Sequence, residues 1–425
     1  MTEQAMLEAL RSSQPPAAAE RFLEAVRVID AVEGQLRFDQ DGRLIALNLS
    51  RDRTSIDAGQ LHALAVFPHV RRLRLAGSNL GNAQLRWIAE RWNALQELGL
   101  HHAGIDDEGL QTLDQFEGLS VLSLRALAGL SDAGLETIAG LPQLEQLFLV
   151  DNRITGRGLA SLVALTRLQV LDIRGCTAIA GDDLRPLADL PRLRVLRLGG
   201  PRICDDALLV LRDFPALQSL TVEQAPISDQ GLTNLTKLAL TEFNLAHCDQ
   251  VTDEGIQVLL EELDGLHHLA LRDVSIRGAF LSALRGRMRL ETLRLNETFV
   301  DDRALQYLGG AEALVRLELR QGQIGEAGTE LLGTQSGLEH LDLAENRLTD
   351  AAVEHLSNLK HLRFLDISGN PRVSDEAVQA LGRMTALREL KIARTEISPA
   401  GLAHLRQQLP DIHITHDALG ASGVP

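Results

Sequence analysis

The feature that most constrains this chain is a sequence period of 23–26 residues, which runs from about residue 44 towards the C-terminus. Residues 338–361, LEHLDLAENRLTDAAVEHLSNLKH, show it most clearly. Its apolar positions are Leu338, Leu341 and Leu343, then Val353, Leu356 and Leu359. The first three have the spacing of a short strand and the last three that of a short helix. One such segment cannot bury its own apolar stripe, so the period predicts stacked strand–turn–helix repeats.

About fifteen repeats are predicted, and this regularity replaces the two or three compact domains otherwise expected for 425 residues. Hydrophobic residues make up 45% of the chain but aromatic residues only 3%, so the interior must be aliphatic. The first repeat strand is predicted at Leu44. The following strands should begin near Val70, Leu95, Leu119, Leu144, Leu168, Leu193, Leu217, Leu240, Leu266, Leu290, Leu314, Leu338, Leu362 and Leu387.

The second half of many repeats carries a hydroxyl–acid–glycine motif. Examples are LSDAGL at 130–135, ISDQGL at 227–232 and VTDEGI at 251–256. The hydroxyl and acidic groups are suited to the N-terminus of a helix, where they accept hydrogen bonds from backbone N–H groups and oppose the helix dipole. Much of the negative charge is therefore expected to serve helix starts.

The two ends of the chain depart from the period. Residues 1–43 are predicted to form a helical cap, with Phe22, Leu23, Val26 and Ile29 on one side, followed by a hairpin arm that turns at Asp41-Gly42. The alternative for residues 1–34 is a docking or secretion segment. Residues 44–411 form the solenoid. Residues 412–425 are predicted to be a last edge strand and a flexible tail.

Charge and composition predict the cellular compartment of the protein and the classes of partner that it does not bind. A net charge of −16 argues against general binding to nucleic acid or to anionic membranes. No apolar run has the length of a membrane span. The three cysteines lie in different repeats, which fits a reducing compartment. We expect a cytoplasmic protein or, alternatively, one secreted into a host by a specialised system, and the preference for arginine over lysine indicates a bacterial genome.

Several fragments have the residue types of catalytic or metal sites. His247-Cys248-Asp249 places a nucleophile beside a base, but neighbouring side chains diverge, and Cys248 is better interpreted as a turn residue. The H-x-x-H pair His413 and His416 has no nearby partner cluster. The glycines of 322–328 lack the Lys-Ser/Thr of a phosphate loop. We therefore expect no enzymatic activity, no cofactor and no metal.

Residues 338–348 and 144–154 match the pattern L-x-x-L-x-L-x-x-N/C-x-L, and cysteine takes the asparagine position in LQVLDIRGCTAI and FNLAHCDQV. In these motifs the chain resembles leucine-rich-repeat proteins. The S/T-D-x-G-L continuation is similar to the cysteine-containing subclass of F-box proteins and bacterial GALA-type effectors, although no F-box is recognisable before residue 44. The resemblance implies an α/β, right-handed, horseshoe-shaped solenoid with a parallel concave sheet and short convex helices.

Side chains between the core leucines should point outward from the concave sheet. One outward column is predicted to contain Asn48, Arg74, Gly99, Ser123, Phe148, Asp172, Arg197, Thr221, Asn244, Ala270, Arg294, Glu318, Asp342, Asp366 and Lys391. Phe148 either packs locally or anchors a partner, and the later charges are expected to neutralise one another in part. The candidate protein-binding residues are Arg74, Arg125, Phe148, Asp172, Arg174, Arg197, Arg272, Arg294, Arg316, Glu318, Arg320 and Asp342.

The leading hypothesis is a monomeric, non-enzymatic scaffold that binds a protein partner along this face. The alternative is a GALA-like effector that acts on a host protein, such as an adaptor of the ubiquitin pathway. An enzyme or enzyme regulator is the less favoured third hypothesis.

Overall fold

The computed structural model describes residues 16–50, 56–285, 289–309, 311 and 313–416, with side chains from residue 20 onward. The predictions for residues 1–15 and for the tail after residue 416 lie outside the described residues. The chain divides into two compact units, Met1–Leu217 and Gln218–Pro425, here called unit 1 and unit 2.

The strands of unit 1 form one sheet in chain order. They are β1 (Gln35–Phe38), β2 (Leu44–Leu49), β3 (Arg72–Ala76), β4 (Glu97–His101), β5 (Val121–Arg125), β6 (Gln146–Phe148), β7 (Val170–Asp172) and β8 (Val195–Gly199). β1 and β2 form the predicted antiparallel hairpin, and β2 to β8 are parallel, each pairing with the next. From β3 onward each strand begins two residues after its predicted apolar position.

Unit 2 repeats this arrangement with parallel strands only. They are β9 (Ser219–Glu223), β10 (Glu242–Ala246), β11 (His268–Arg272), β12 (Thr292–Arg294), β13 (Arg316–Glu318), β14 (His340–Asp342), β15 (Phe364–Asp366), β16 (Glu389–Lys391) and β17 (His413–Thr415). Each pairs with the next. β17 is thus the predicted strand after residue 411. The predicted repeat solenoid is confirmed in each unit.

Short helices return the chain from one strand to the next. In unit 1 they are α1 (Pro16–Ala31), α2 (Ala58–Ala63), α3 (Asn82–Arg91), α4 (Asp107–Leu110), α5 (Asp132–Ile138), α6 (Gly156–Ser161) and α7 (Asp205–Val210). In unit 2 they are α8 (Asp229–Leu232), α9 (Asp253–Glu262), α10 (Glu326–Leu332), α11 (Asp350–Leu356), α12 (Val378–Gly382) and α13 (Pro399–Gln408).

Some repeats use the tighter 3₁₀ helix instead of an α-helix. It forms Gly181–Asp189, Ala279–Leu284 and Ala304–Leu308, and shorter 3₁₀ turns occur at Leu64–Val66, Gln111–Gln115, Leu162–Ala164, Leu211–Asp213, Thr233–Leu235 and Asp375–Ala377. Pro186 lies within the first of these helices, where it lacks the N–H that an α-helix would use. The helix of 279–284 follows Gly278, which adopts a φ of +95°. As a glycine, this residue has no side chain that could cap the helix.

The core of each unit is a stack of aliphatic layers. Leu147, Leu196, Leu293 and Leu341 are fully buried, as the period predicts. At the start of unit 1, α1 packs on α2, and Phe22 meets Phe67 edge to face with ring centroids 5.6 Å apart. Phe22 and Ile29 are buried, and Leu23 and Val26 are half-buried. The helix therefore covers the apolar side of the first repeat, which would otherwise face water.

The turns after the strands are joined by a ladder of asparagine and cysteine side chains. Asn346 donates to the carbonyl of Leu319 in the preceding repeat at 2.7 Å and accepts from the N–H of Ile324 at 3.0 Å. At the equivalent position Cys176 donates from Sγ to the carbonyl of Leu149 at 3.0 Å. Both side chains therefore satisfy backbone groups of the preceding turn.

The acidic residues at the helix starts act across the boundary between repeats. Asp132 is the first residue of α5, and it accepts from the backbone N–H of Thr155 at 2.8 Å and from its hydroxyl at 2.6 Å, in the next repeat. Thr155 in turn accepts from the N–H of Arg157. Asp229 binds Thr252 in the same way, at 2.8 and 2.6 Å. The hydroxyl caps its own helix as predicted, whereas the carboxylate links two repeats, which the sequence analysis missed.

This bond explains the glycine of the motif. A Cβ atom placed on Gly255 would lie 2.2 Å from Oδ1 of Asp229, and one placed on Gly158 would lie 2.5 Å from Oδ1 of Asp132. Real Cβ atoms do not approach an oxygen so closely. The fourth position of the motif must therefore stay free of a side chain, because the carboxylate of the preceding repeat occupies that space.

We expect Gly255→Ala to lower the free energy of unfolding by about 1–3 kcal/mol, because the added methyl group overpacks the contact with Asp229. Gly265→Ala is the matched control, since its Cβ would meet the carbonyl oxygen of Leu240 at 3.6 Å. We expect that control to be neutral or to stabilise by up to about 1 kcal/mol. Urea unfolding followed by circular dichroism measures both, and equal midpoints for the two variants would contradict the close contact.

Candidate functional site

The strand register places the residues of the predicted outward column opposite one another within each unit, although Asp172, Thr221, Glu318 and Asp366 are buried. In unit 1, the Cα atoms of Asn48, Arg74, Gly99, Ser123, Phe148, Asp172 and Arg197 pair from strand to strand. In unit 2, the pairing runs through Thr221, Asn244, Ala270, Arg294, Glu318, Asp342, Asp366 and Lys391. We call the side of each sheet that carries this column its open face. Neighbouring positions are about 4.8 Å apart.

Phe148 forms the centre of a cluster in unit 1. The ring is half-buried, and Cζ of Arg197 lies 6.0 Å from its centroid. Between them, on the middle strand, Asp172 is buried and receives Nε and NH2 of Arg174 at 2.9 and 2.7 Å. NH1 of Arg197 lies 3.7 Å from the same carboxylate. Phe148 therefore packs locally against Arg197, and Asp172 orients the arginines instead of facing outward.

A second cluster lies earlier on the open face of unit 1. Glu97 is paired with Arg74 through Nε. His101 lies 3.2 Å from the hydroxyl of Ser123, and burial together with the charges of Arg125 and Arg74 lowers its pKa to about 4. His101 is thus neutral at pH 7 because it is half-buried beside fixed positive charges.

In unit 2 the predicted charge pairing is observed around Glu318. Its carboxylate accepts from Nε of Arg294 on the adjacent strand at 3.1 Å and from Nε of Arg316 at 2.7 Å. Asn296 adds a third donor at 3.2 Å. Although burial opposes ionisation, these donors and charges hold the pKa of Glu318 below its usual value. Glu318 is buried, so it organises the surrounding arginines and offers little surface to a partner.

Arg272 and Arg320 lie nearer the rim of the open face in unit 2. NH2 of Arg272 lies 3.0 Å from Nε2 of His247, whose Nδ1 is 2.7 Å from Asp273. Arg320 donates to Glu345 at 2.7 Å, and Glu345 also receives Arg394. Arg272 is thus held by a histidine of the preceding repeat, and Arg320 by an acidic residue of the next repeat.

Asp342 lies beside Asp366 on the adjacent strand. Burial raises the pKa of its carboxyl to about 6, and the negative charges of Asp366 and Glu318 add to this effect. The hydrogen bond from the N–H of Ala344, 2.9 Å long, and the charge of Arg320 oppose it. Ionisation of Asp342 is therefore less favourable than that of a carboxyl group in water.

The sequence analysis missed an aromatic stack in the same region. The rings of His340 and Phe364 are parallel, with centroids 3.9 Å apart, and Nζ of Lys391 lies 5.0 Å from the centroid of Phe364. The two rings line a shallow groove of about 400 Å³ together with Val315 and Arg316. The register could have predicted the pair, because the two residues face each other on adjacent strands.

The fragment His247-Cys248-Asp249 does not form a nucleophile–base pair. Sγ of Cys248 is buried and directed at the carbonyl of Ala246, 3.4 Å away. Burial raises the pKa of this thiol to about 11, so the reactive thiolate is scarce at neutral pH. Within the part of the chain that the structure describes, no group of three or more His, Cys, Asp or Glu side chains could hold a metal ion. No described helix combines the length and apolarity of a membrane-crossing segment.

Comparison with known proteins agrees with this repeat geometry. Two leucine-rich-repeat family models match residues 312–371 and 239–260. No curated protein matches the sequence. Among solved structures, TLR13 in complex with ssRNA13 has a TM-score of 0.53 at 20% identity, over 83% of this chain and 50% of that chain.

Two bacterial structures are also similar over most of their length. Internalin InlF from Listeria monocytogenes has 17% identity and a TM-score of 0.46, over 93% of this chain and 94% of that chain. A leucine-rich-repeat protein of Leptospira interrogans has 17% identity and a TM-score of 0.48, over 85% and 92%. Fold and family matches together define a repeat-built solenoid protein. The chain has the fold of a leucine-rich-repeat solenoid, and residues 239–260 and 312–371 carry the family's sequence pattern.

We expect Asp342→Asn to stabilise the protein more at neutral pH than at acidic pH. The folded-state pKa of about 6 exceeds the unfolded value of about 3.9, so the folded state binds more protons and stability falls as pH rises between them. Asparagine keeps an acceptor for the N–H of Ala344 and removes the charge. The difference in unfolding free energy between variant and wild type should grow by about 1–2 kcal/mol from pH 4 to pH 7. Urea unfolding at both pH values measures it, and a constant difference would contradict the buried carboxyl.

Proposed function

We propose that this protein is a non-enzymatic scaffold that binds a protein partner on the open faces of its repeat sheets. The observation that carries the proposal is the register, which holds arginine and aromatic side chains in fixed rows between strands. Arginine and aromatic residues contribute most of the binding energy in protein interfaces.

The organisation of these side chains supports the proposal. Asp172 and Glu318 are buried, and each is bound by the arginines around it. A side chain that is fixed before binding loses less conformational entropy when a partner arrives. Phe148 and the arginines near it therefore form a pre-organised contact surface in unit 1, and the groove beside His340 and Phe364 adds contact surface in unit 2.

The net charge of the chain supports a protein partner over a nucleic acid. TLR13, which shares the fold, holds ssRNA13 in its complex, but that likeness concerns the fold alone. A net charge of −16 opposes the approach of a nucleic-acid backbone. A protein partner avoids this general repulsion, because a protein can present local charge without a continuous row of phosphates.

We expect Ser123→Trp to weaken capture of the partner by about tenfold or more, because the indole would obstruct the open face of unit 1 without changing its charge. Ala133→Trp is the matched control, since Ala133 is an exposed small residue on α5. Tagged full-length protein, titrated into extracts of the source cells with quantitative mass spectrometry, measures both variants. Specific capture that Ser123→Trp leaves intact would exclude this face as the binding surface.

A further inference from the structure

The same arrangement of one carboxylate beneath two arginines recurs on the open faces. We call these arginine triads, and they are Arg72–Glu97–Arg74 and Arg174–Asp172–Arg197 in unit 1 and Arg294–Glu318–Arg316 in unit 2. In the second triad the carboxylate side chain is 1% exposed, whereas its two arginines are 30% and 36% exposed. Negative charge lies inside and positive charge outside, so each triad presents a surplus of positive charge to a partner.

This surface charge is opposite to that of the chain as a whole. The net charge is −16, but many carboxylates lie at the helix starts, where Asp107, Asp132 and Asp229 bind the next repeat. Those groups lie at the starts of helices and not on the strands, so they are not part of the open face. The open face of unit 1 is thus a basic surface on an acidic protein.

Arg197 is the arginine best placed to receive an anion. Its NH1 lies 3.7 Å from Asp172, which is longer than a hydrogen bond, and Arg174 already occupies that carboxylate with two donors. The guanidinium is held by the charge of Asp172 and by the ring of Phe148. The guanidinium of Arg197 donates no hydrogen bond to any described residue. Its planar donors are therefore positioned but unused, which suits bidentate binding of a carboxylate.

Two further arginines extend this surface along unit 1. Arg74 uses Nε to hold Glu97, and Arg125 uses Nε to hold Asp151 at 3.3 Å. Between them, burial and these two arginines lower the pKa of His101 to about 4. The neutral histidine agrees with a positive potential on this part of the open face.

We propose that the open face of unit 1 binds an extended acidic segment of the protein partner, with carboxylates received by Arg74, Arg125 and Arg197. This inference rests on the proposed scaffold function and names the chemistry of the partner. Arg74 on β3 and Arg197 on β8 lie in the outward column, and Arg125 lies two residues further along β5 than the column position Ser123. Measured across the strands, the successive separations are about 10 Å and 14 Å. An extended chain advances about 3.3–3.6 Å per residue. Acidic residues at positions i, i+3 and i+7 would match this spacing.

Fluorescence anisotropy with two labelled peptides tests the proposal on the full chain. The spaced peptide carries glutamate at positions i, i+3 and i+7 in a glycine–serine background, and the clustered peptide carries the same residues with the glutamates adjacent. At about 50 mM salt, we expect the spaced peptide to bind more tightly and Arg197→Gln to weaken it by about tenfold. Arg212→Gln, an exposed arginine in the Leu211–Asp213 turn, should leave binding unchanged.

Other variants separate a local role from a fold defect. Arg197→Lys keeps the positive charge but loses the paired planar donors of the guanidinium. It should therefore bind the spaced peptide more tightly than Arg197→Gln and more weakly than the wild type. Phe148→Leu should weaken binding of the spaced peptide less than Arg197→Gln does, because it removes only the aromatic ring beside the guanidinium and leaves the guanidinium in place. Equal binding of the two peptides, or no effect of Arg197→Gln, would overturn the inference. Tighter binding of a labelled oligothymidine than of the spaced peptide would also overturn it, in favour of a phosphate ligand.

The inference and the proposed function fail in different ways. If Ser123→Trp abolishes capture of the cellular partner but the spaced peptide neither binds nor competes, the scaffold function stands and the acidic-segment inference is wrong. If the spaced peptide competes with the captured partner and Arg197→Gln weakens both, the inference is supported.

Discussion

The structure depends on a hydrogen bond that crosses from each repeat to the next. An aspartate at the start of one helix accepts the backbone N–H and the hydroxyl of the residue that caps the following helix, as Asp229 does for Thr252. The carboxylate remains near the positive end of its own helix dipole. It therefore stabilises two repeats at once, and its charge strengthens both hydrogen bonds. A repeat that lost its neighbour would lose this link as well as its apolar contacts.

Because of this constraint, the helix end and the strand end of each repeat differ in how freely their residues can vary. At the helix end, the motif residues are fixed by contact, since Gly255 must leave room for Asp229. At the strand end, alternate side chains are buried while those between them face outward. Leu196 and Leu198 are fully buried, whereas Arg197 between them is not. The backbone is thus specified by one set of residues, and the chemistry of the open face can vary through another.

The sequence was sufficient to predict the repeat, the strand order and which strand residues pair in a column, because all three depend on the period. The pairing of Phe148 with Asp172, and of Asp172 with Arg197, follows once adjacent repeats are stacked in register. The link from Asp132 to Thr155 was missed, because a motif within one repeat does not show which group of the next repeat it contacts. Burial of Asp172 beneath its arginines was also missed. The alternation of side chains along a strand predicts which face of the sheet a residue lies on, but not how much of it neighbouring side chains cover. The similarity to the GALA-type subclass stays a prediction.

The turns beside the open face contain residues with a strained backbone that nevertheless form specific contacts. The residue five positions after the first residue of the strand adopts a left-handed conformation in many repeats, with φ of 54° at His247, 49° at Asp273 and 57° at Glu345. A side chain in this conformation costs about 1 kcal/mol relative to glycine. The rim side chains nevertheless form specific contacts, because Glu345 binds Arg320 and Arg394 at 2.7 and 2.8 Å. Polar residues at these strained positions therefore contribute charge organisation that glycine would not, and they extend the ordered surface from the strands to the turns beside them.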